Sequence, residues 1–192
     1  RTTSDIGAYS YNFASAGDAV VSLDNTNQVV LTLSSSGTAI TDFHTAFAGS
    51  TLTITATRTT GTITGSGTGI TIDNTAKTIA VNLTLLSVFS GIVIEGNSGA
   101  DSVTIGVGGV DFSVVTGGGT DQSLVITTGT GADSLTISNA INTKGNSAFA
   151  YLNSGSISGA GLVTTPTLTL VANSGINVSA SALAFANIST AS

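Results

Sequence analysis

The chain has 192 residues, enough to bury a sizeable core as one large domain or two small ones. Only 7% of its residues are charged, where about 25% is usual, while 41% are hydrophobic and Ser and Thr fill about a third of the chain, which argues against wholesale disorder. Net charge is −6 and the only Lys and Arg are Arg1, Arg58, Lys77 and Lys144, too few and too scattered to neutralise a nucleic-acid backbone; the absence of Cys excludes disulfides and thiolate metal sites.

The chain opens without a basic-then-apolar leader, and Arg1 in place of an initiator Met suggests a processed chain or a fragment. Residues 9–13 (YSYNF) alternate aromatic with polar, so Tyr9, Tyr11 and Phe13 form a candidate docking or donated strand. A period-2 run follows at 28–33 (QVVLTL). Residues 39–48 (AITDFHTAFA) place Ile40, Phe43 and Phe47 at helical spacing, with Asp42 in an early turn, which suggests a short helix; the alternative is a loop whose aromatics plug one end of the core.

From there alternating strands dominate: 51–57 (TLTITAT), 69–73 (GITID), 78–86 (TIAVNLTLL), 91–95 (GIVIE), 102–106 (SVTIG), 110–115 (VDFSVV), 123–127 (SLVIT), 134–138 (SLTIS) and 167–171 (TLTLV). They are rich in β-branched residues, and many are bounded by Gly, Asn, Asp or Ser. The second weak helical candidate is 181–186 (SALAFA). No apolar run approaches the roughly 18 residues of a spanning helix.

Residues 99–105 (GADSVTI) and 131–137 (GADSLTI) repeat a turn followed by a short strand, with 119–126 (GTDQSLVI) as a looser copy between them. A turn-strand unit returning along a chain is the sequence form of a solenoid turn. The expected fold is therefore all-β, with a β-solenoid (parallel β-helix-like) over the C-terminal two thirds. About nine turns of about 20 residues would give a rod about 40 Å long. The alternative is a β-sandwich fibre subunit with strand donation. Half of the aromatics fall in the first third, so residues 1–60 are expected to form an aromatic-rich cap, docking segment or small sandwich and 61–192 the solenoid-like region; a single domain is the other option.

Catalytic chemistry has little to draw on. The sole histidine is His44, no G-x-S-x-G elbow surrounds a serine between strand and helix, and 65–67 (GSG) lies in a turn-rich β region. A glycosidase-like carboxylate pair would have to come from Glu95 and Asp101 or from Asp111 and Asp121, without Trp and with almost no Arg to hold a sugar acid. The sequence points to a non-enzyme. Asn82, Asn177 and Asn187 open N-x-[ST] sequons, which arise by chance in so Ser/Thr-rich a chain.

Residues 96–104 (GNSGADSVT) and 128–136 (TGTGADSLT) fit the nonapeptide G-G-x-G-x-D-x-U-x with Asn97 and Thr128 replacing a glycine. At these residues the chain resembles the repeats-in-toxin family, and the resemblance implies calcium held by turn oxygens, with Asp101, Asp133 and Asp121 as candidate ligands. In that family copies follow in tandem, whereas here the aspartates are spaced apart and each could equally cap its own turn. Over roughly 61–192, segments such as 167–179 (TLTLVANSGINVS) resemble the β-helical stretches of filamentous haemagglutinin-type adhesins. That resemblance implies a right-handed parallel β-helix, export to the bacterial surface, and attachment or fibre formation. Two functions are expected: a structural subunit of an extracellular filament, surface layer or matrix whose partners are copies of itself, or a calcium-stiffened adhesin module binding a glycan or host surface.

Overall fold

The computed structural model describes residues 19–23, 28–33, 42–56, 63–65, 67–85, 90–96, 99–115 and 120–190. They form an all-β structure, a single curled and open sheet of 16 strands. In chain order these are β1 (Ala19–Leu23), β2 (Gln28–Leu33), β3 (Asp42–Ala48), β4 (Thr51–Ala56), β5 (Thr64–Gly65), β6 (Ile70–Asp73), β7 (Thr78–Asn82) and β8 (Gly91–Glu95). There follow β9 (Ser102–Ile105), β10 (Val110–Asp111), β11 (Ser123–Thr127), β12 (Ser134–Ile137), β13 (Ile141–Asn142), β14 (Phe149–Ser154), β15 (Ser156–Ala172) and β16 (Ile176–Thr190). Two single-turn 3-10 segments, Leu83–Leu85 and Phe112–Val114, are the only helical turns among the described residues.

The helix suggested over 39–48 is not formed, because 42–48 is β3. Phe43 and Thr45 alternate with exposed His44 and Ala46, a period of two that serves a strand as well as the aromatic spacing serves a helix. Tertiary pairing decides between them: β3 bonds to β4 on one side, antiparallel, and to β9 on the other, parallel. A helix there would leave both neighbours with open edges. The second helical candidate, 181–186, lies inside β16. Residues 9–13 lie outside the described residues.

Two pairing regimes divide the sheet. The antiparallel strand pairs, β1 with β2, β3 with β4, β4 with β7 and β6 with β7, all lie in the first half of the chain. Beyond them three parallel ladders recur. The first joins β2, β8, β11, β14 and the end of β15. The second joins β3, β9, β12 and the start of β15. The third joins β10, β13 and the middle of β15. Along the chain the ladders are visited in a fixed order, first, second, third, and then first again. Long β15 crosses all three, and β16 pairs alongside it. Pro166, which has no N–H to donate, falls between the paired positions Thr165 and Thr167.

This order stacks the inward side chains in files. Ile92, Leu124, Ala150 and Leu168 succeed one another along the first ladder, as do Ile94, Ile126, Leu152 and Leu170. Val103, Leu135 and Ile157 do so along the second, and Val110, Ile141 and Val163 along the third. All are buried in one continuous core. Each such aliphatic side chain stabilises the fold by about 1.5–3 kcal/mol relative to exposure. The return is not the even 20 residues that the sequence suggests: Ile92 pairs with Leu124, Leu124 with Ala150 and Ala150 with Leu168, so the turns shorten toward the C-terminus.

Candidate functional site

The two GADS turns meet in space. β9 and β12 are neighbours, with Ser102 opposite Ser134 and Val103 opposite Leu135, so the residues just before them, Asp101 and Asp133, stack at one corner of the sheet. The corner lies where the chain leaves the first ladder for the second. Backbone bonds tie its layers together: Ser134 N–H donates to Asp101 O at 3.0 Å and Ser156 N–H to Asp133 O at 3.1 Å. Glycine continues the corner, with Ser174 N–H and its hydroxyl both donating to Gly155 O at 2.8 Å.

Both carboxylates are buried, Asp101 at 2% and Asp133 at 5% relative exposure. Asp101 N–H donates to Asp133 Oδ1 at 2.9 Å. Asp133 Oδ2 is enclosed and has no partner in full hydrogen-bond geometry, although the Thr128 hydroxyl acts on this carboxyl as a donor. Burial pushes the Asp133 carboxyl above its ordinary pKa; the bond from Asp101 N–H works against this, repulsion from the Asp101 carboxylate adds to it, and the nearby Thr128 hydroxyl lowers it. Thr128 is itself buried and donates to Ser154 Oγ at 3.0 Å.

Glycine makes room for this crowd of oxygens. A Cβ on Gly96 would sit 2.4 Å from Thr128 O and 2.8 Å from Asp101 Oδ2. One on Gly131 would sit 2.1 Å from Gly99 O and 3.0 Å from Asp133 Oδ1. These are close approaches of the glycine backbone to the adjacent turn, of the same kind as Gly91 to Ser123 O and Gly159 to Ile137 O elsewhere in the sheet. An open groove lined by Gly131, Ala132, Asp133, Gly155, Asn173 and Ser174 runs along the same corner. As a fit to calcium, the donor set is chemically apt, since the cation takes carboxylate and carbonyl oxygens. It is lean, however: no group of three or more acidic or histidine side chains gathers anywhere among the described residues.

The third candidate ligand stands apart. Asp121 Oδ1 accepts from Ser147 N–H at 2.8 Å, binding the turn before β11 to the turn before β14, and the looser copy of the repeat therefore leads into the first ladder rather than the second. The carboxylates considered for catalysis are likewise used at separate turns. Asp111 caps the 3-10 turn by accepting from Ser113 N–H at 2.9 Å, and Glu95 is exposed at the end of β8. His44 is exposed on β3, in register with Thr104 and Thr55. No helix among the described residues is long and apolar enough to cross a membrane. Ser154 is a corner group that the sequence does not single out, and Thr128 stands out there only as a replaced glycine, because their contact depends on a chain return of unequal length.

The chain matches no protein-family model, no curated protein and no solved structure.

Proposed function

We propose that the chain is a β-solenoid that serves as a structural subunit of a bacterial extracellular filament, surface layer or matrix, assembling through β-strand or end-to-end contacts. In this reading strands β1–β7, which hold all the antiparallel strand pairs, form the cap at one end and the winding region begins at β8, somewhat later than residue 60. A stack whose turns visit three ladders in fixed order is open-ended, because each turn offers the next the same backbone bonds. The observation that carries the proposal is β16: 15 residues long, it pairs among the described residues with β15 alone. Proteins usually protect such an edge with charge, above all Lys, or with Pro. Here no Asp, Glu, Lys, Arg or His follows Lys144 in the sequence. Export and a bacterial origin rest on composition and on the adhesin-like texture of the sequence.

The test is assembly. At neutral pH the purified chain is expected to form filaments or sheets in electron micrographs and to sediment in a concentration-dependent way. Ser179→Lys, at an exposed position of β16, is expected to lower the sedimenting fraction while leaving the circular dichroism of the fold unchanged. Monodisperse particles at every concentration would count against a self-assembling subunit.

A further inference from the structure

We propose that copies of the chain join head to tail, with β6 of one copy pairing antiparallel along the start of β16 in the next, in a register that sets Thr71 opposite Ser179. The inference rests on the self-assembly reading and names its contact.

The strand count places the ends. From the cap, the first ladder runs β5, β1, β2, β8, β11, β14, β15 and β16, and the second runs β6, β7, β4, β3, β9, β12, β15 and β16. Each holds eight strands, so the two ladders end level with one another. Their polarity agrees as well. One antiparallel step in the first ladder and three in the second leave β5 and β6 both running against β16. A single translation along the stack therefore brings both pairs of end strands together, antiparallel in each ladder. Within one copy they cannot meet, because seven strand spacings of about 4.8 Å hold them about 34 Å apart. A contact between two different edges does not close on itself and propagates as a filament.

The register follows from the residue columns. Asp73 and Asn177 are the two ends of one unbroken column of paired residues that crosses the second ladder through Thr55, His44 and Thr136. Continued into the next copy, that column puts Asp73 opposite Asn177. Antiparallel pairing then sets Ile72 against Val178, Thr71 against Ser179 and Ile70 against Ala180. Ile70, Ile72, Val178 and Ala180 are partly buried and packed against the one core, whereas Thr71, Asp73, Asn177 and Ser179 are exposed. Apolar thus meets apolar on the inner face and polar meets polar on the outer, a match that the column did not presuppose. The only charge on either stretch, Asp73, faces a neutral amide, and its carboxylate already accepts from the N–H groups of Thr75 and Ala76. In the first ladder the corresponding column sets Thr64 against Ser189.

The chain lacks cysteine, so engineered thiols report the contact without background. Under mild oxidation the full chain carrying both Thr71→Cys and Ser179→Cys is expected to give a ladder of covalent oligomers on a denaturing gel, while either single variant stays monomeric. Thr71→Glu added to Ser179→Lys is expected to restore the sedimenting fraction that Ser179→Lys loses, because each lysine then meets a glutamate of the neighbouring copy. Should a variant fail to fold, wild-type filaments still decide: eight strands per copy give an axial repeat of about 38 Å. A repeat of about 77 Å, or Ser179→Cys cross-linked to itself, would mean that β16 meets β16, overturning this contact and leaving self-assembly in place. Absence of any filament would overturn both.

Discussion

Replacing Asp133 with Asn tests the electrostatics of the corner where Asp101 and Asp133 stack. Burial raises the Asp133 carboxyl above its ordinary value of 3.8, and the Asp101 carboxylate adds to the rise. Between the unfolded pKa and the raised folded one, the native state binds more protons, so stability falls as pH climbs through that window and levels off above it. The loss amounts to about 1.4 kcal/mol for each tenfold change in acidity that the window spans. Asn keeps a carbonyl oxygen for Asp101 N–H and removes the charge from the enclosed side chain. Urea unfolding from pH 3 to pH 8 should give a wild-type stability that declines relative to Asp133→Asn as pH rises through that window. A difference between the two proteins that does not change with pH would refute the reasoning.

Two further substitutions probe the packing. Leu124→Ala, between Ile92 and Ala150 in a fully buried file, should cost about 2–5 kcal/mol, read as a lower urea midpoint at unchanged slope; the outward control Ser134→Ala should stay within about 0.5 kcal/mol. Gly131→Ala places a methyl 2.1 Å from Gly99 O, so the backbone must shift; a cost of about 1–3 kcal/mol is expected, measurable in the same urea melts.

Strand content was legible because alternation is local: β4 buries Leu52, Ile54 and Ala56 and turns its threonines outward, as TLTITA implies. The GADS repeat was legible as a turn and strand returning along the chain, but not that it brings Asp101 beside Asp133 and leaves Asp121 apart, which the pairing of β9 with β12 decides. What the sequence could not reveal was non-local. The β3 segment carries helical and strand periods together, and only its partners β4 and β9 decide between them. The length of each turn is set by how far the chain travels between ladders, which no local pattern records. Asp121 sits in a similar motif yet leads into a different ladder, because the strand after it pairs with β8 and β14 rather than with β9.

The scarcity of charge also takes on a physical cause. In parallel stacks each outward residue lies about 4.8 Å from its counterpart in the next turn, so a charge repeated along a file would face itself. The files hold hydroxyls instead, Ser102 with Ser134 and Ser156, and Thr104 with Thr136 and Ser158. Where a charge enters a file its neighbours are neutral: Glu95 faces Thr127 and Asp111 faces Asn142. Asp101 and Asp133 break this rule by placing carboxylates at equivalent positions in adjacent turns, and they do so inside the protein, where repulsion is least screened.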